Sequence, residues 1–72
     1  MKLKYYPDTD SLYIELSTKS SHDSIEISEG VVIDYDIEKN IVGIDIDNAS
    51  KKIELKELTL SKMPVQQHLI AA

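Results

Sequence analysis

From Lys2 to Ile46 apolar and polar residues alternate with period two, in short runs broken by turn-forming residues. A chain patterned this way folds as strands of a half-buried sheet, because successive side chains of a strand point to opposite faces. Lys2 to Tyr6 puts Leu3 and Tyr5 on one face. Pro7-Asp8-Thr9-Asp10 then reads as a turn, since proline presets φ and aspartate bonds nearby backbone N–H groups. Ser11 to Leu16 follows with Leu12, Ile14 and Leu16 inward, so the first two strands form a hairpin.

Ser17 to Asp23 is polar and serine-rich, with nothing to bury, and is expected to be a surface loop. Alternation resumes through Ile25 and Ile27 in Ser24 to Ser28. Glu29-Gly30 makes the next turn, with glycine where φ must be positive. Val31 to Tyr35 is the strongest strand, and Asp36-Ile37-Glu38-Lys39-Asn40 closes a hairpin onto Ile41 to Ile46, with Val42, Ile44 and Ile46 inward. Gly43 falls inside that last strand. A glycine there marks a bulge or a close approach by another backbone or side chain.

After Asp47 the pattern changes. Asp47 or Asn48 can accept from the free N–H groups of a helical turn running to Lys52. Ile53 and Leu55 alternate, but Leu58 and Leu60 do so in the other phase, so a strand over 53–60 needs a bulge near Lys56-Glu57. A helix there would carry Glu57 at the centre of its apolar stripe, and the strand is the preferred reading. Pro64 ends the element. The expected architecture is α+β: one small antiparallel sheet of about five or six strands in meander hairpins, a short helical turn, a domain over 1–62, and a C-terminal tail over 63–72 that is mobile or docked on a partner.

The sequence has 72 residues and no cysteine, so a small core must hold it without disulfides or thiolate metal cages. No run of apolar residues is long enough to span a membrane, and no apolar segment follows the charged start as a signal peptide requires. A soluble, cytoplasmic protein is expected. Eight lysines, no arginine and thirteen acidic residues give a formal net charge of -5. That balance argues against nucleic acid and for a basic protein as partner, because an acidic surface steers oppositely charged proteins.

The runs Gly30-Val31-Val32-Ile33-Asp34-Tyr35-Asp36 and Asn40-Ile41-Val42-Gly43-Ile44-Asp45-Ile46, with Tyr5-Tyr6-Pro7-Asp8-Thr9-Asp10-Ser11-Leu12-Tyr13-Ile14 and Asn48-Ala49-Ser50, resemble the small bacterial domain-of-unknown-function family numbered 2283 over about residues 1 to 55. The resemblance implies a compact sheet domain with no established chemistry. It also implies one lead, that some relatives look like antitoxins encoded beside small ribonuclease-like toxins. The family's turn usually carries glycine where this chain has Lys39, so either Asn40 is left-handed here or Lys39 is, at some cost.

Asp34, Asp36, Glu38 and Asn40, followed by Asp45, imitate a calcium loop. Such a loop wants glycine sixth and a bidentate glutamate twelfth, where this chain has Lys39 and Asp45. The residues read instead as an acidic hairpin turn, and a small-ligand or cation site built on Asp34, Asp36, Glu38 and Asp45 is the alternative function. Asp34 and Asp45 fit the solvent face of the sheet. His22 beside Asp23 in a loop without glycine is a solvated histidine and no part of a triad, and His68 offers less. Tyr6, Tyr13, Val32 and Ile41 fall opposite the core stripe. They are either ordinary exposed residues or, with Asp34 and Asp45, a partner-binding face.

The leading expectation is a non-enzymatic, antitoxin-like protein-interaction module that binds a basic protein, possesses no cofactor or metal, and associates with itself as a dimer or higher oligomer. No residue is expected to be catalytic.

Overall fold

The computed structural model describes residues 1–61. The tail expected over 63–72 lies outside them. Five strands form: β1 (Lys2–Tyr6), β2 (Ser11–Glu15), β3 (Asp23–Ser28), β4 (Val31–Tyr35) and β5 (Ile41–Ile46), followed by one helical turn, α1 (Ala49–Lys52). Every pairing is antiparallel, in the order β1-β2-β5-β4-β3. The three hairpins lie where the turn residues put them, but the sheet is not a simple meander. β2 pairs with β5, and the 16–22 loop carries the chain from the second strand to the far edge.

The register gathers the alternating residues into rows. Leu3, Ile14, Ile44, Ile33 and Ile25 make one apolar row across all five strands; Tyr5, Leu12, Ile46 and Val31 make a second. The opposite face carries Lys4, Tyr13, Asp45, Val32 and Glu26, and beside them Lys2, Glu15, Gly43, Asp34 and Ser24. This is the half-buried sheet that the alternation predicts.

The sheet is thinly covered. Among the described residues only Leu12, Val42 and Ala49 are buried apolar residues, and no large side chain is fully buried. The strand preferred over 53–60 is absent. Residues 53–61 are irregular, because the change of phase at Lys56-Glu57 denies them a continuous apolar side to lay on a sheet. Among the described residues the sheet therefore has five strands.

Val42 is 3% exposed, the least of any strand side chain with apolar character. It sits in a bulge: Asp34 pairs with Gly43, but Tyr35 pairs with Ile41. The Val42 carbonyl accepts from the amides of Leu16 at 2.8 Å and Ser17 at 3.2 Å, which ends β2 and turns the chain into the crossing loop.

The β4–β5 turn is built around Asp36, 5% exposed. Its Oδ1 accepts from the amides of Glu38 and Asn40, each at 2.9 Å. The Asn40 amide, with that of Glu38, holds the carboxyl below its ordinary range. Lys39 takes the left-handed conformation, with φ 67°. A side chain there costs about 1–2 kcal/mol. Lys39→Gly is therefore expected to stabilise the domain, by about 0.5–1 kcal/mol once the greater freedom of glycine in the unfolded chain is subtracted. Urea unfolding checks it: the midpoint should rise with an unchanged slope.

Candidate functional site

Three local arrangements bear on what the surface can do. On the polar face, Tyr13 leans from β2 across β5 and donates its hydroxyl to Asp34 Oδ2 on β4 at 2.9 Å, while Ser24 on β3 donates to Asp34 Oδ1 at 2.7 Å. The ring lies over Gly43, where an added Cβ would run into the Tyr13 hydroxyl and Cζ. Gly43 is thus the site of close approach by a side chain, and it adjoins the bulge as well. Burial, then the bond to Asp34, raises the Tyr13 pKa above the usual phenol range. Beside it Asp45 is raised too, by burial first and then by the charges of Asp47 and Asp34.

The second arrangement ties the two ends of the fold together. Asp10, left-handed with φ 52°, ends the β1–β2 turn. Its carboxylate accepts from the Ser50 hydroxyl at 2.7 Å, the Ser50 amide at 3.1 and 3.3 Å, and the Tyr5 hydroxyl at 2.7 Å, and its carbonyl accepts from the Ala49 amide at 2.8 Å. The cap expected from Asp47 or Asn48 is supplied from forty residues away. Asn48 is left-handed and makes no side-chain cap bond, whereas Asp47 accepts from the Ser11 hydroxyl at 3.4 Å. Ser50, then Tyr5, hold the Asp10 carboxyl below its ordinary range. At the other side of α1, Lys52 donates to the Glu29 carbonyl at 2.8 Å and pins the β3–β4 turn.

The third is the β3 edge. All six residues of β3 are exposed, Ile25 at 49% and Ile27 at 57%. Ile25 ends the apolar row because, among the described residues, β3 has no neighbour beyond it. Ile27 is the extra residue of a bulge between Glu26 and Ser28. Asp23, Glu26 and Glu29 are the charges along this segment, with no lysine among residues 23–30. The other edge, β1, carries Lys2 and Lys4, the latter paired with Glu15 at 3.7 Å, and Pro7 follows it.

The residues singled out in the sequence are divided by this geometry. Tyr13, Val32, Asp34 and Asp45 share the polar face, and Tyr6 joins them through its pairing with Ser11. Ile41 is placed opposite Tyr35 by the bulge and so leaves that set. The acidic hairpin does not converge on a cation: Asp34 accepts from two hydroxyls and Asp36 from two amides, and among the described residues no group of three or more candidate ligands is arranged to hold a metal ion. His22 lies in the crossing loop, its amide donating to the Tyr35 carbonyl at 2.7 Å. With Tyr35, Asp36, Ile37 and Lys39 it lines a shallow open cleft of about 410 Å³.

Sequence reasoning missed Asp10 as the clasp of α1. A turn aspartate matched to a serine forty residues on leaves no periodic signal. It also passed over β3 as an edge, because strand order is invisible to alternation.

No helix among the described residues is long and apolar enough to cross a membrane. A family model described as "Protein of unknown function (DUF2283)" matches residues 2–50, which takes in all five strands and the start of α1. Neither the curated proteins nor the solved structures contain a match to the chain.

Proposed function

Since the chain belongs to DUF2283, a family of proteins of unknown function, we propose its role from its surface: it is a non-enzymatic protein-interaction module whose β3 edge takes up a strand of a basic partner. The observation that carries this is that all six residues of β3 are exposed, with Ile25 and Ile27 about half open beside Asp23, Glu26 and Glu29. An edge strand leaves backbone N–H and C=O groups unpaired, and an incoming strand satisfies them while alternate side chains set specificity. The acidic residues give the edge a sign, and the net charge of -5 extends it over the molecule. Lysines make β1 the poorer edge for a basic strand. The partner in this reading is a basic protein, a toxin held in an antitoxin-like complex. The committed lone pairs of Asp34 and Asp36 weigh against the cation-binding alternative.

Association kinetics with a basic protein partner test the proposal. Raising salt should slow association far more than it speeds dissociation, because screening acts on encounter and ladder hydrogen bonds act on residence. Glu26→Lys should lower the low-salt on-rate about tenfold and flatten its salt dependence. An on-rate indifferent to salt would remove the case for a basic partner.

A further inference from the structure

We infer that, without a partner strand, the β3 edge pairs with the β3 edge of a second copy, in the antiparallel register that sets Ile25 opposite Ile25 across a two-fold axis. The location rests on the edge-strand reading above; the register rests on the geometry of this strand.

Antiparallel partners that face each other lie on the same side of a sheet, so two copies can slide past one another only in steps that keep the faces matched. Centred on Ile25, the register sets Ser24 opposite Glu26 on each side of the Ile25 pair, and within the flat part of the strand no acidic residue meets another. One step one way centres the pair on Glu26 and sets Glu26 against Glu26, like charges directly opposed. One step the other way centres on Ser24 and sets Asp23 against Ile25, breaking the apolar row at its end.

The Ile25 register instead continues it. Leu3, Ile14, Ile44, Ile33 and Ile25 run on into the same five residues of the second copy in reverse, a ten-residue apolar row across a ten-stranded sheet. The half-exposed Ile25 then gains the neighbour it lacks. The pairing also closes. A two-fold contact uses the same edge on both copies, and the edges left outside are β1, guarded by Lys2, Lys4 and Pro7. The bulge after Glu26 confines the ladder to the flat part of β3, which keeps the contact short and open to displacement by a partner strand.

The absence of cysteine makes the register directly readable. Single-cysteine variants at Lys2, Ser24, Ile25, Glu26 and Ser28 are oxidised mildly at micromolar concentration, with no partner present. Directly opposed Cβ atoms lie about 4.5–5.5 Å apart, near disulfide range. Ile25→Cys should give a covalent dimer at least tenfold faster than any other single variant. A mixture of Ser24→Cys and Glu26→Cys should give the mixed dimer in preference to either homodimer. Sedimentation of the unmodified chain supplies a second readout that no variant can spoil. Because both copies carry -5, added salt should tighten self-association. Equal cross-linking at all positions, a maximum at Lys2 or Glu26, or a monomer at every salt concentration overturns the inference. None of these results touches the partner proposal, whose salt dependence has the opposite sign.

Discussion

Gly43→Ala is expected to destabilise the domain by about 2 kcal/mol, and the same substitution in a Tyr13→Ala background is expected to stabilise it by about 0.5–1 kcal/mol. The reversal of sign follows from what lies over the glycine. An added Cβ meets the outer end of the Tyr13 side chain, so the ring must swing away. It then gives up both its cover on β5 and its hydrogen bond to Asp34. With the ring already removed, only the ordinary weakness of glycine inside a strand is left, and alanine relieves it. Denaturant unfolding of the two single variants and the double variant closes the cycle. Additive effects would mean that the ring and the glycine are not coupled.

A second large effect is expected at Asp10. Asp10→Ala removes the acceptor for both Ser50 donors and for Tyr5, and it places alanine at a left-handed φ. The melting temperature should fall by about 5–10 °C, the scale of a lost helix cap in a chain this small. Asp10→Asn tolerates the same backbone and keeps an oxygen, and should lose less. The difference between the parent chain and Asp10→Asn has a defined pH course. Its folded pKa is depressed, so the carboxylate's stabilisation is fully present above the ordinary value of 3.8 and is lost as pH falls through the lower folded value. The two proteins should therefore converge only in strong acid, and melts followed from neutral pH downward check this. An Asp10→Ala protein that melts with the parent would show that α1 needs no clasp.

The five strands and their turns were legible because each carries its own local signal. Pro7 and Asp10 bracket a turn, Gly30 takes φ 73°, and the Asp36–Asn40 segment caps itself. The pairing of β2 with β5 was not legible. Leu12 and Ile46 are far apart in sequence, and alternation says which face a residue takes, never which strand lies beside it. The apolar pair Ile53 and Leu55 misled for the opposite reason. Two alternating residues satisfy a strand pattern locally, but the following Lys56-Glu57 breaks the face before a ladder can form. Of the proposed surface, the charge of residues 23–29 was readable and its exposure was not, since exposure depends on β3 being last in the sheet.

The strand order also divides the chain into two parts that close at different costs. β1 with β2, and β3 with β4 and β5, are contiguous hairpins whose turns need only short loops to be closed. Joining them requires β2 to find β5 across the whole of the second part, and loop-closure entropy is lost before any contact between them compensates. That meeting is the slow step expected of folding, and the contacts spanning it are spread from one end of the seam to the other: the Leu16 and Ser17 amides on the Val42 carbonyl, the Tyr13 ring on Gly43, and Asp10 on Ser50. The β2–β5 seam is thus expected to open before either hairpin unit loses its own pairing.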